Sequence, residues 1–131
     1  MKVLIVDDSK YARNLVKSYL VEMPGKWEII EASDGKETLA QLEQIYSNGS
    51  KIHLILLDWN MPNMLGIDCL KAIRADDKYK DIKIIIITSD GAKANVVSAI
   101  KAGATDFMVK QIDPILLQEK LNKLFGDFVY L

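Results

Sequence analysis

The sequence predicts a doubly wound α/β domain, in which one parallel sheet carries helices on both faces. Three features predict it. Short apolar runs alternate with longer stretches of helical periodicity, the runs are nearly free of polar residues, and cap and turn residues fall between them. A strand apolar on both faces must be covered on both, and helical crossovers supply the cover while keeping neighbouring strands parallel.

Taken in order, residues 3–6 form the first strand, a run of four aliphatic side chains. Ala12, Leu15, Val16, Tyr19, Leu20 and Met23 then recur at three- and four-residue steps, the stripe of a first helix, and Pro24-Gly25 stops it. Residues 27–32 form a second strand. Glu28 and Glu31 interrupt it, which places it at a sheet edge. Asp34 followed by Glu37 reads as a capping box for a second helix, whose stripe is Leu39, Leu42 and Ile45. Residues 53–57 form the third strand, and Ile67, Leu70 and Ile73 mark a third helix. Residues 82–87 make the fourth strand. A fourth helix carries Val96, Ala99 and Ile100, and Gly103 sits where a helix C-terminal glycine belongs. Residues 107–109 form the fifth strand. Asp113-Pro114 supplies an N-cap and an N1 proline for a fifth helix with Leu117, Leu121 and Leu124. No linker, repeat or low-complexity stretch divides the chain, so 1–131 reads as one domain. Its last residues, 126–131, are more apolar than a free tail usually is. They either finish the last helix and pack, or join a partner's surface.

Composition narrows the function. A formal net charge of -1 gives no bulk attraction to nucleic acid or an anionic membrane. Cys69 is the only cysteine, so no intrachain disulfide and no four-cysteine zinc site can form. His53 is the only histidine and lies in an apolar run, which removes Ser/His/Asp and Cys/His catalytic pairs; a strand residue with a satisfied ring is the simpler account. The opening apolar run is too short for a signal peptide or a membrane span, and a reduced cytoplasmic location is the default expectation.

In an open parallel sheet, ligands bind at the carboxyl ends of the strands. Strand one ends in Asp7 and Asp8, strand three in Asp58-Trp59-Asn60, strand four in Thr88-Ser89-Asp90, strand five in Lys110. Three carboxylates, a hydroxyl and an ammonium thus converge on one edge. Gathered carboxylates repel one another and call for a proton or a cation. With oxygen ligands only, magnesium suits the cluster, whereas zinc, copper and iron do not. Asp58 is then the candidate nucleophile toward phosphorus, with the metal bridging it to a phosphoryl oxygen and with Lys110 and Thr88 holding others.

The set Asp7-Asp8, Asp58, Thr88 and Lys110 resembles the response-regulator receiver family of two-component signalling. The stretch Asp58-Trp59-Asn60-Met61-Pro62-Asn63-Met64 is similar to its chemotaxis (CheY-like) type. The resemblance spans essentially the whole chain and implies a flavodoxin-like strand order 2-1-3-4-5 with five helices. It implies that Asp8 and Asp58 bind magnesium directly, Asp7 through water, and Asn60 through its backbone carbonyl. It implies phosphorylation of Asp58 by a histidine kinase, a phosphotransfer protein or a small phosphodonor, and slow self-catalysed loss of the group. Thr88 and Phe107 would form the switch. Ser89 is small, as the route to the phosphate requires, while Asn60 and Asp90 would tune the lifetime. A downstream protein would read the face of the fourth helix, fifth strand and fifth helix. Such a chain is a signalling switch, not an enzyme acting on other molecules.

Three positions depart from the family pattern. Gln111 follows Lys110 where proline is usual, often after a cis bond. A non-proline cis bond costs roughly 2.5–4 kcal/mol, so a trans bond is expected here, with Lys110 aimed differently. Leu65 stands where aspartate or serine is common, an apolar spot beside the site. Phe107 lacks the hydroxyl of a tyrosine, so a ring switch must work by packing alone.

Singly, each of these residues has a blander account. Asp8 or Ser9 caps a helix, Asp58 is a turn residue, Lys110 lies on the surface, and Phe107 and Cys69 pack in a core. Jointly they require five coincidences on one sheet edge. A receiver-shaped scaffold working without phosphorylation is the alternative, resting on Gln111. A phosphatase would want a second acid where Asn60 stands, and a nucleotide domain would want a glycine-rich loop after the first strand.

Overall fold

The computed structural model describes residues 1–89 and 93–126, without the side chains of 93 and 94. Asp90 and residues 127–131 therefore lie outside the described residues. The elements run β1 (Lys2–Val6), α1 (Lys10–Glu22), β2 (Glu28–Ala32), α2 (Gly35–Ser47), β3 (Leu54–Asp58), α3 (Gly66–Arg74), a 3-10 turn (Asp77–Tyr79), β4 (Lys83–Thr88), α4 (Lys93–Lys101), β5 (Asp106–Val109) and α5 (Pro114–Phe125). All strand pairs are parallel, and the sheet order is β2-β1-β3-β4-β5. This is the doubly wound, flavodoxin-like arrangement expected, with β2 at an edge.

The sheet divides the interior into two clusters by strand parity. Leu4, Val6, Ile55, Leu57, Ile84 and Ile86 face Leu42, Cys69, Leu70, Ile73 and Ala99 of α2, α3 and α4. Val3, Ile5, Leu54, Leu56, Ile85 and Ile87 face Val16, Leu20, Leu117 and Leu121 of α1 and α5. Every residue of β3 is buried, which explains why it reads as an uninterrupted apolar run. Each fully buried leucine or isoleucine removes enough apolar surface from water to contribute about 1.5–3 kcal/mol.

The caps follow the sequence with one change. The Ser9 Oγ accepts from the Ala12 N–H at 3.2 Å, Asp113 Oδ1 from the Ile115 N–H at 2.9 Å, and Asp34 Oδ1 from the Glu37 N–H at 2.8 Å. The expected capping box is only half made. The Glu37 carboxylate turns instead to Ser33, accepting from its hydroxyl at 2.7 Å and its N–H at 3.2 Å, because Ser33 offers two donors together. Gly103 closes α4 at φ +107°, with Ala104 N–H donating to Ala99 O and Gly103 N–H to Ile100 O, the Schellman pattern. Two stripe positions turn outward: Leu15 is 37% exposed and Ile100 48%, so the apolar faces of α1 and α4 are wider than the sheet covers. Among the described residues, no helix is long and apolar enough to cross a membrane.

Candidate functional site

The carboxyl ends of β1, β3, β4 and β5 bring the expected residues together. The β1–β3 register pairs Val6 with Leu57, so Asp7 and Asp58 leave adjacent strands at the same height. One carboxylate oxygen from each of Asp7, Asp8 and Asp58 lies within 4.8 Å of the others. Asp7 and Asp58 are buried, whereas Asp8 is exposed at the mouth. Two like charges at such a separation repel by roughly 3–4 kcal/mol in an effective dielectric of 20.

Lys110 answers part of that repulsion. Its Nζ lies 3.1 Å from Asp58 Oδ2 and 3.2 Å from Asp7 Oδ2. The Lys110–Gln111 bond is cis rather than trans as expected, and Lys110 aims into the acidic cluster. Its backbone N–H donates to Thr88 O at 2.7 Å, fixing β5 against β4 at this level. Burial acts against the ammonium, but the bonds to Asp58 and the charges of Asp58 and Asp7 outweigh it and raise its pKa. Asp58 is pushed up, first by burial and then by the Asp7 charge; Lys110 and the Asn60 N–H (3.3 Å from Oδ1) counter only part of this.

One ammonium against three carboxylates leaves the cluster negative, and its donors are all oxygens at the mouth of a cleft. That set fits a hard divalent cation such as magnesium. The Asp7 oxygens are both engaged, Oδ1 by the Ser9 N–H at 2.9 Å and Oδ2 by Lys110. Asp8 is the exposed carboxylate of the three.

Thr88, Ser89 and Phe107, also expected at the site, lie on or just beyond β4 and β5. Thr88 is 2% exposed at the end of β4, and Ser89 is exposed just beyond it. Phe107 pairs in register with Ile86, and Val109 with Thr88, so Thr88 and Phe107 share one face of the sheet. The Phe107 ring is half-buried, with Lys120 Nζ 5.9 Å from its centroid. Leu65 precedes α3 and is 49% exposed, the apolar spot expected beside the site. Cys69 is fully buried and its thiol is pushed up to about 12 by burial, which removes it as a nucleophile.

Sequence reasoning passed over a second layer behind Asp7. Arg13 of α1 donates from Nη1 to the Asp7 carbonyl at 2.6 Å and from Nε to Glu31 Oε1 at 3.1 Å, while Lys17 Nζ reaches Glu31 Oε2 at 3.0 Å. The signal is in the sequence: Glu31 is one of two charges in β2, and both also mark it as a sheet edge.

The family profile of the response regulator receiver domain matches residues 3–122. The chain belongs to that family. It is 40% identical over 126 residues to the chemotaxis protein CheY1 of Helicobacter pylori (strain J99), covering 96% of this chain and 98% of that one. Among solved structures it is similar to the chemotaxis protein CheY4 of Vibrio cholerae (TM-score 0.83, 31% identity, 95% of this chain and 98% of that one). It is also similar to a CheX-CheY-BeF3-Mg complex from Borrelia burgdorferi (TM-score 0.84, 30% identity, 97% and 90%). The receiver fold is thus that of the family.

Proposed function

We propose that this receiver domain is a phosphorylation switch whose nucleophile is Asp58. The observation that carries the proposal is the meeting of Asp7, Asp8 and Asp58 within 4.8 Å, with Lys110 bonded to two of them. A carboxylate oxygen of Asp58 attacks phosphorus. The phosphorus–nitrogen bond of a phosphohistidine, or the phosphorus–oxygen bond of a small phosphodonor, breaks, and its electron pair leaves with the donor. Asp8 and Asp58 would hold magnesium directly, Asp7 through water, and Asn60 through its carbonyl. When bound, the ion supplies neutralisation of the charge shared by Asp58 and the phosphoryl oxygens. Lys110 trades its bond with Asp58 for a phosphoryl oxygen, and the Thr88 hydroxyl donates to another. Water later returns Asp58 to its free form, at a rate tuned by Asn60 and Asp90.

The upstream partner is a histidine kinase or phosphotransfer protein. The downstream partner is a protein that meets the face of α4, β5 and α5, where Val97, Ile100, Val109, Ile115 and Leu116 are each at least 42% exposed. Exposed apolar side chains on neighbouring elements suit a protein interface. The phosphorylated state redistributes Thr88 and Phe107, and Phe107 works by packing, since it has no hydroxyl. Relatives named for chemotaxis, one of them in complex with CheX, BeF3 and magnesium, support a role in chemotactic signalling. The aim of Lys110 into the acidic cluster favours this reading over a phosphorylation-independent scaffold, whose one support is Gln111 after Lys110.

The test is incubation with acetyl phosphate and magnesium, followed by intact mass. One phosphoryl group is expected on the wild type and none on Asp58→Asn. A label that persists on Asp58→Asn would move the chemistry to another residue.

A further inference from the structure

We propose that Arg13 is a positioning residue for the acidic site, setting the direction of Asp8 by clamping the peptide between Asp7 and Asp8, and that Glu31 aims it. The inference rests on the reading of that site as a cation and phosphoryl site.

A peptide unit is planar, so a carbonyl oxygen held in space fixes the plane and the bond on which the next residue hangs. The Asp7 carbonyl receives Arg13 Nη1 at 2.6 Å, a short charge-assisted bond. On the other side, the Asp7 N–H donates to Ala32 O at 3.1 Å and its carboxylate is tied to Ser9 and Lys110. Asp7 is therefore held at its N–H, its side chain and its carbonyl. Asp8, exposed, takes its direction from that last anchor. Arg13 has a side-chain exposure of only 15%, and its Nε is paired with Glu31 on β2. Glu31 itself is kept ionised chiefly by its bond to Lys17, against the effect of burial. The edge strand thus reaches the site through α1: Glu31 orients the guanidinium, and the guanidinium orients the acid pair.

The geometry needs arginine. Two nitrogens set at a fixed spacing in one rigid plane serve the carboxylate and the carbonyl together, a spacing that the point charge of an ammonium on a flexible stem does not reproduce. Charge alone and geometry can therefore be separated by Arg13→Lys.

The experiment measures magnesium affinity by Trp59 fluorescence, beside the metal-free melting temperature, in the wild type, Arg13→Lys, Arg13→Met and Glu31→Gln. Arg13→Met and Arg13→Lys should each weaken magnesium by about 10-fold or more, the usual effect of removing a group that orients a metal ligand. Glu31→Gln should weaken it less, and adding it to Arg13→Met should cost nothing further, since Glu31 acts through Arg13. Arg13→Lys, which keeps the charge, should retain most of the melting temperature while losing affinity. Full magnesium affinity in Arg13→Lys or Arg13→Met, or additive losses in the double variant, would overturn the assignment of Arg13 and leave the site intact. A wild type that binds no magnesium would remove the site and this inference together.

Discussion

At the scale of single residues, the chain places its charges in two kinds of surroundings. Asp58 is nearly sealed from water, 2% exposed, and raised in pKa by burial and by Asp7. His53, at the opposite end of the sheet, is exposed, and its Nδ1 accepts the Lys2 N–H at 3.0 Å. Burial, then the N-terminal charge, Lys2 and Lys51, lower its pKa. A protonated ring cannot accept that bond, so the folded state takes up the proton less readily than the unfolded chain. Stability from this group is present above the unfolded pKa near 6.5 and is lost as pH falls through it toward the lowered folded value. Asp58 has the opposite sign: its raised pKa means that the folded state holds its proton better, and that contribution is lost as pH rises. The difference between wild type and His53→Gln isolates the histidine. From pH 7.5 to 5.5, the wild type should lose slightly more melting temperature than His53→Gln; parallel curves would show that the ring does not titrate against the Lys2 N–H. The expected satisfied ring is found, but His53 stands exposed just before β3 rather than within it, and its partner was not readable because the Lys2 amide is 51 residues away.

At the scale of elements, glycine and arginine decide how tightly helices seat. The Gly66 N–H donates to Trp59 O at 2.9 Å, which draws the start of α3 against the end of β3. A Cβ on Gly66 would run into the Asp58 carbonyl oxygen and come within 2.8 Å of Trp59 Cα, both backbone and both part of the site. Gly66→Ala should therefore cost about 1–3 kcal/mol, the range for overpacking, and should lower phosphoryl labelling as well. For Gly35→Ala the three nearest atoms all belong to the Met64 side chain, at 2.8–3.0 Å, and a flexible side chain yields more readily than backbone. Its effect should be smaller in the same denaturation series, and an equal loss at both positions would contradict this account of the α3 start. Arg74 plays a comparable part at the far end of α3, donating to the carbonyls of Gly103, Tyr79 and Ile82 at 2.9, 3.2 and 2.7 Å. Cap residues, glycines and stripes were legible because they act within one turn of the chain. The half-made capping box and the outward turns of Leu15 and Ile100 were not, since a neighbouring serine and the limits of sheet cover decided them.

At the scale of the whole molecule, the negative cluster gathers like charges from the ends of neighbouring strands, so a cation bound there should stabilise the fold. Magnesium at a hundred times its dissociation constant would add about 2.7 kcal/mol by mass action on the folded state, several degrees in melting temperature for a domain of this size. The wild type should show this rise, and Asp8→Asn and Asp58→Asn should lose most of it. An unchanged melting temperature in the wild type across millimolar magnesium would count against the metal reading.

Legible along the chain were the five strands, the five helices, a parallel sheet with β2 at an edge, and the convergence of Asp7, Asp8, Asp58 and Lys110 on one rim. Those follow from periodicity and from the rule that parallel sheets present their ligands at the carboxyl ends of strands. Packing in three dimensions set where Lys110 points, that both Asp7 oxygens are engaged while Asp8 is exposed, and that Arg13 and Glu31 stand behind them. These depend on angles between elements that touch across long stretches of sequence, and a one-dimensional pattern records which residues meet a core, not the direction in which their polar atoms face.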